Sequence, residues 1–315
     1  MVTIVGRRII AIVPVLLIVS FLTFSLTYLV PGDAASVAAG DNASAEQIEL
    51  VRRQLGLDRP FLVQYASWLW HVAQGGLGTS LLSSRSVLTS LVEALPVTLS
   101  LTLLAMLFAV VVGLLLGILA GLRPGSALDR IATTVASLGI SMPSFWLALI
   151  LVNVVALQFG LAPVAGYISI AEGGLTGWFQ HLLLPAVALG TITAAEVTRQ
   201  TRAGVVDVGG QDYIRTAVAK GMPTRVVVVK HTLKNAAIPV VTVLGLQFGA
   251  LVGGAIVIER IFGLPGLGTL AIDSVLNQDF PVVQGLVLMI TLFVLLVSFL
   301  VDTSYLYFNP KVRQS

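Results

Sequence analysis

The residues best placed to do chemistry in this sequence lie in one polar segment. Residues 198–236 read TRQTRAGVVDVGGQDYIRTAVAKGMPTRVVVVKHTLKNA, with seven basic residues between Arg199 and Lys234. Asp212 has the side chain of a helix N-cap. Tyr213 to Lys220 is a short run able to form a helix. Gly221 can take the left-handed conformation that ends a helix, and Pro223 follows where a new segment can begin. Val226 to Leu233 is a second run, interrupted by Lys230 and His231. The pattern predicts a helix–turn–helix with Gly221 at its corner. Such a unit buries too little apolar surface to be stable alone, so it must dock on something. Its chemistry is that of binding: cations, a tyrosine and small side chains. A positive anchor on lipid headgroups explains the charge but not the ordered Gly-Met-Pro break.

Catalytic constellations are missing elsewhere. The sequence holds no cysteine, so there is no thiol nucleophile, thiolate metal site or disulfide framework. His71, His181 and His231 are far apart, which gives no support to a histidine metal site. No G-x-x-x-x-G-K-[ST] phosphate loop occurs. Gly139-Ile140-Ser141-Met142 superficially resembles the nucleophile motif of intramembrane serine proteases, but the last apolar segment carries no histidine to activate a serine. Glu93, Glu172 and Glu259 fall at one set of helix ends or loops, and Glu196 and Asp302 near the other. None is read at mid-membrane, which argues against a self-powered ion-coupled carrier. Asn153 and Gln247 either line a polar path or form interhelical hydrogen bonds.

The elements that hold these residues are membrane helices. The chain is 57% hydrophobic and 10% charged, and its 30 glycines raise the apolar share further. Its mean hydropathy is +0.97. That excludes a soluble globular domain and a disordered chain. The apolar runs are continuous rather than alternating, which excludes a transmembrane barrel. Six spans are predicted, near Ile9–Val30, Pro96–Leu122, Ile131–Phe159, Leu182–Val197, Ala237–Ile258 and Val282–Tyr305. Pro143 should kink the third. The fourth runs into Glu196, Arg199 and Arg202 and is expected to continue as a helix into water. With both termini inside, the inner segments hold 13 basic residues and the outer ones 5, the arrangement the positive-inside rule favours. The 22 apolar residues of the first span exceed an ordinary signal-peptide core, so it is read as an uncleaved span.

Residues 31–95 form a long, organised outer loop. Ser44-Ala45-Glu46-Gln47 fits a capping box, Ile48, Val51 and Leu55 recur at helical spacing, and Gly56 sits at C′. A second amphipathic stretch, Phe61 to Val72, carries Tyr65, Trp68 and Trp70 and ends at Gly75-Gly76. Its aromatics suggest the membrane–water interface. The loop is either a lid over the helix ends or a docking surface for an extracytoplasmic partner.

The segment around Gly221 resembles the cytoplasmic loop of permease subunits of binding-protein-dependent ABC importers. Their pattern is E-A-A, three residues, G, nine residues, I-x-L-P. The matching positions here are Arg215, Thr216, Ala217, Gly221, His231, Leu233 and Lys234. Ala217, Gly221 and Leu233 fit; Arg replaces the leading Glu, His the Ile, and Lys the Pro. Asp-Tyr-Ile-Arg-Thr-Ala-x-Ala-Lys-Gly followed by His-x-Leu-Lys-Asn-Ala-x-Ile-Pro resembles the dipeptide/oligopeptide/nickel branch, where these departures are usual. Further matches run through the chain. They include Leu29-Val30-Pro31-Gly32-Asp33, Leu55-Gly56-Leu57-Asp58-Arg59-Pro60 and Gly76-Leu77-Gly78-Thr79-Ser80. Later come Pro265-Gly266-Leu267-Gly268, Asp279-Phe280-Pro281-Val282-Val283-Gln284-Gly285 and Asn309-Pro310-Lys311-Val312-Arg313.

This resemblance implies an all-α polytopic membrane protein with six transmembrane helices and the type I ABC importer permease fold. Residues 1–93 would hold the first span and outer helical loop, 94–305 the transmembrane core with its coupling loop at 198–236, and 306–315 a cytoplasmic tail. It implies a bacterial inner-membrane location, a second homologous permease, two ATP-binding subunits and an extracytoplasmic solute-binding protein. The bilayer is a further partner, and no nucleic acid is involved. The chain itself would bind no cofactor and catalyse nothing; ATP and magnesium would sit on the partner subunits. The solute would be a dipeptide or oligopeptide, with nickel or a metal chelate as the alternative. The ATPase-coupling residues would be Asp212, Tyr213, Arg215, Thr216, Ala217, Ala219, Lys220, Gly221, His231, Leu233 and Lys234. Tyr213, Ala217 and Ala219 would face an ATPase groove, and Arg215, Lys220 and Lys234 would meet acidic groups there. Asn153, Gln247, Gly249, Gly253 and Glu259 are the expected path residues, with Gly249, Gly253 and Gly254 allowing close helix approach.

Overall fold

The computed structural model describes residues 2–29, 34–40, 42–223, 226–227 and 234–308. The described residues are almost wholly helical, and their one β feature is an isolated bridge between Thr79 and Ser86. The chain divides into two compact units, one of residues 1–96 with 265–296, the other of 97–264 with 297–315.

The first unit begins with α1 (Val2–Leu29), followed by α2 (Ala34–Ala39), α3 (Ala45–Gln54) and α4 (Phe61–Ala73). Both bonds of the predicted capping box form at the start of α3, between Ser44 and Gln47. Gly56 ends that helix at φ +68°. The aromatics of α4 divide. Phe61, Tyr65 and Trp68 pack on Phe21, Phe24 and Tyr28 of α1, in a cluster with ring centroids 5.0 to 6.1 Å apart. Each pair adds about 0.5–1.5 kcal/mol beyond area burial. Trp70 points away, 65% exposed.

A long helix, α5 (Val87–Leu122), starts nine residues before the predicted span and runs through Pro96. Its early turns are helical because Val87, Leu91 and Ala94 fall on one face and bury against Leu267, Val282 and Leu286. Those partners lie on α11 (Leu267–Leu276) and α12 (Phe280–Phe308). Asp279, just before α12, accepts from Ser80 Oγ at 2.5 Å and from the Leu81 N–H at 3.1 Å.

The second unit is built around α8 (Ile170–Gly209), a 40-residue helix that packs against α6 (Ala127–Ser141), α7 (Ser144–Leu151) and α10 (Lys234–Phe262). As expected, α8 continues well past the apolar stretch. Ser169 and Glu172 cap its first turn, and Gly174, at φ +63°, breaks that turn from the rest. The third predicted span is not one kinked helix. Met142 takes an extended conformation, the one a following proline ring favours. The two helices therefore meet at 104°. α7 then passes into a π-helical segment, Val152–Gln158.

Helices occupy all six predicted positions. Among the described residues, four are long and apolar enough to cross a membrane, the bent α6–α7 pair adds a fifth, and α1 contributes the apolar stretch Ile12–Tyr28.

Of the glycines expected to allow close approach, Gly253 has open space where a Cβ would sit, whereas a Cβ on Gly254 would lie 3.0 Å from Leu189 Cδ1 on α8. A tighter seam runs along α5. A Cβ on Gly113, Gly117 or Gly121 would lie 2.5 to 2.7 Å from the Cβ of Val197, Thr201 or Val205 on α8. Three glycines four apart thus meet three β-branched residues four apart, with the backbones drawn together. On the same seam, a Cβ on Gly190 would lie 2.5 Å from the Ala105 carbonyl oxygen.

Candidate functional site

The polar segment after α8 folds into a short exposed helix, α9 (Asp212–Ala219). The Gln211 carbonyl receives the N–H of Ile214 and Arg215, so Asp212 is the first helical residue rather than the N-cap. Its charge there favours the helix dipole. At the other end, the Met222 N–H bonds the Ala217 carbonyl at 3.3 Å, and Gly221 lies at φ +75°. This is the six-to-one bond of a Schellman turn, with Gly221 at C′. The N–H groups of Val226 and Val227 then return to the Pro223 carbonyl.

The helix seats itself through a small apolar cluster. Ile214, Ala217 and Val227 are buried together, with Val208 and Met222 packed around them. Ala217 was expected to face outward; it faces the chain, because it shares the i, i+3 stripe of Ile214. The outward residues are Asp212, Tyr213, Arg215, Thr216, Ala219 and Lys220. Tyr213 is 45% exposed. Arg215 pairs with Asp212 at 3.6 Å, an exposed contact of little energetic weight. His231 and Leu233 lie outside the described residues. Lys234 begins α10, and nothing is described of its side chain.

Two contacts fix α8 where it approaches α9. One is the glycine seam of α5. The other is an ion pair, in which Arg202 donates from Nε and Nη2 to the two carboxylate oxygens of Asp129 at 2.5 and 2.8 Å. Asp129 also accepts the Gly125 N–H at 2.8 Å. It sits in the polar first turn of α6, ahead of the apolar stretch that starts at Ile131. The Arg202 guanidinium, then the Gly125 N–H, hold its carboxyl well below the usual carboxylate range. Arg202 is raised in turn by the same hydrogen bond. A rigid assembly of α5, α6 and α8 therefore leads directly into the exposed helix.

The predicted path residues do not gather at one place. Glu259 is fully buried and accepts from Thr98 Oγ1 at 2.6 Å. Gln247 donates to Glu196 on α8, which is the interhelical hydrogen bond. The two lie twelve residues apart on α10, about 18 Å along its axis. Asn153 is exposed in the π-helical segment and accepts from Gln158 Nε2 at 3.0 Å. Gly249 is half-buried, and Gly253 is exposed.

Sequence reasoning missed Asp129, Thr98 and the glycines of α5. The glycines had a readable signal, their spacing of four. Asp129 had only the Ser126-x-x-Asp129 cap, which says nothing of Arg202, 73 residues on.

Comparison with known proteins places this architecture. The model of the "binding-protein-dependent transport system inner membrane component" family matches residues 113–314, and the model of its N-terminal region matches residues 1–102. The chain belongs to that family. It is a multi-pass inner-membrane permease of an ABC importer. The glutathione transport system permease protein GsiC of Salmonella typhimurium is 43% identical over 98% of this chain and 97% of its own length. A putative peptide transport system permease protein of Brucella abortus is 42% identical over 98% of both. Among solved structures, the MetNI methionine ABC transporter in its inward-facing conformation gives a TM-score of 0.58 at 20% identity, covering 70% of this chain and 97% of that one. An amino acid ABC transporter gives 0.51 at 20% identity, covering 68% and 92%. These likenesses establish the fold.

Proposed function

We propose that this permease imports dipeptides or oligopeptides, glutathione included, and that α9 couples it to an ATPase subunit. The observation that carries the solute class is the full-length similarity to permeases named for glutathione and peptides. Neither of these relatives is named for nickel, so the peptide reading is preferred.

In this reading a second, related permease completes the path, two ATP-binding subunits bind below, and an extracytoplasmic solute-binding protein delivers the peptide from above. Both termini are cytoplasmic. The chain is non-catalytic; ATP and magnesium belong to the ATPase subunits. Tyr213, Ala219, Thr216 and Lys220 supply the exposed face of α9 for an ATPase groove, with Arg215 and Lys220 meeting its carboxylates. Asp212 and Gly221 frame the helix, and Ala217 seats it. His231, Leu233 and Lys234 extend the same loop. A push on α9 passes into α8 because the two are consecutive. It passes on to α5 and α6 through the glycine seam and the Arg202–Asp129 pair. Asn153, Gln247, Gly249, Gly253 and Glu259 remain proposed path residues, reached in a conformation where α10 shifts against α5 and α8.

The test is reconstitution of the co-purified complex in proteoliposomes with its solute-binding protein. ATP-driven accumulation of a labelled di- or tripeptide supports the reading. Accumulation of nickel with no peptide uptake would overturn it.

A further inference from the structure

The first unit contains a cavity of about 740 Å³ that the transport reading does not use. Its size is that of a small-molecule site. Phe24 and Tyr28 of α1, Trp68 of α4 and Phe280 of α12 form an aromatic wall, and Arg52 and Arg59 line the rim. Among the described residues lining it there is no carboxylate. Arg52 shares its charge with Glu49 at 3.3 Å. Arg59 makes no ion pair among the described residues. Its side chain folds along Gly56, with guanidinium atoms 3.7 to 3.9 Å from where a Cβ would sit. A Cβ at position 56 would make only ordinary van der Waals contact with that arginine; the φ of +68° is what holds the position to glycine.

The occupant must match two surfaces at once, an anion beside arginine and an apolar body against aromatic rings. The cavity also has a defined depth. It sits where the last turns of α1 meet the first turn of α12, both apolar membrane helices, and tyrosine and tryptophan there mark the interfacial level. We propose that this cavity holds an anionic phospholipid, its phosphate on Arg59 and its acyl chains along Phe24, Trp68 and Phe280. Arginine suits a phosphate because its planar fork donates two parallel hydrogen bonds.

The test uses the full chain with its co-purifying subunits in nanodiscs of phosphatidylcholine containing a minority of phosphatidylglycerol. Native mass spectrometry then counts the phosphatidylglycerol kept after release into detergent. The wild type should keep it. Arg59→Gln should lower retention about tenfold, as loss of one charged hydrogen bond implies, and Arg59→Lys should fall between. Equal retention in Arg59→Gln would overturn the proposal. So would displacement by free glycerol phosphate, which would mark a headgroup site without acyl contact, or displacement by a short peptide, which would mark a carboxylate site. A second readout holds if Arg59→Gln does not fold. Phosphatidylglycerol with brominated acyl chains should quench tryptophan fluorescence more than brominated phosphatidylcholine at the same fraction. Trp68→Phe should abolish that excess, and an excess that survives would also overturn the proposal.

Discussion

Gly117 gives the sharpest prediction. A Cβ added there would lie 2.5 Å from Thr201 Cβ, 2.7 Å from the Thr198 carbonyl oxygen and 3.0 Å from Thr201 Cγ2. Carbon atoms prefer separations of about 3.5–4.0 Å, so α5 and α8 must part by about 1 Å at this point. Two of the three obstacles are backbone or Cβ, and a rotamer change relieves neither. Overpacking of this kind costs about 1–3 kcal/mol. Gly117→Ala should therefore lower the melting temperature of the purified complex and, by loosening α8 from α5, reduce peptide uptake per ATP hydrolysed. Gly117→Val should be worse. Adding Thr201→Gly to Gly117→Ala removes the Cβ clash but not the carbonyl contact, so rescue should be partial. Gly209→Ala is the control, because nothing lies within 4 Å of its Cβ position. If Gly117→Ala matched the wild type in both melting and transport, the close-approach argument would be refuted.

Three further outcomes are expected. At Gly221, φ is +75° but nothing lies within 4 Å of a Cβ, so substitutions should act through backbone strain alone. Uptake should fall in the order Gly, Asn, Ala, Val, with Gly221→Val still in the membrane and assembled; a flat series in an uptake assay would contradict this. Asp129→Asn and Arg202→Gln should each destabilise the complex, and the double variant should lose less than the sum of the two in thermal melts. Because the Asp129 carboxyl is held low, its stabilisation is complete at neutral pH and is lost as pH falls through the folded-state value. Asp129→Asn should flatten that acid dependence. Asp279→Ala leaves the Ser80 hydroxyl and the Leu81 N–H unpaired, at about 1–3 kcal/mol, and should expose the 79–86 turn to protease; Asp279→Asn should be milder.

Local signals in the sequence were read well where one element carries them. The Ser44–Gln47 box, the left-handed Gly56 and Gly221, and the long extension of α8 each depend on a few consecutive residues. Helices at the predicted positions followed from composition, since a bilayer admits little else; among the described residues four, or five with the bent pair, are long and apolar enough to cross. Misreadings arose where a neighbour decides. Pro143 was read as a kink, but Met142 before it took the extended conformation and the helix broke, whereas α5 and α8 run through Pro96 and Pro185. Ala217 was read as outward because the family pattern is read along the chain, whereas the Ile214 stripe sets its direction. The glycines of α5 were not singled out, because a glycine's role depends on what faces it. Val197, Thr201 and Val205 face the α5 set. The Asp129–Arg202 pair spans 73 residues, a separation at which one sequence offers no pairing signal.

The central claim is that α9 is the contact through which an ATPase drives this permease. The chain has no cysteine, so a single Ala219→Cys variant provides one reactive thiol on the exposed face of α9. It should be treated with a short cysteine–lysine crosslinker in native membranes, and the adduct identified by mass. An adduct between position 219 and an ATP-binding subunit, changing in yield when ATP is added, is the predicted result. An intact complex that contains the ATPase but yields no adduct from Ala219→Cys, while a thiol placed at Gly125 crosslinks readily, would contradict it.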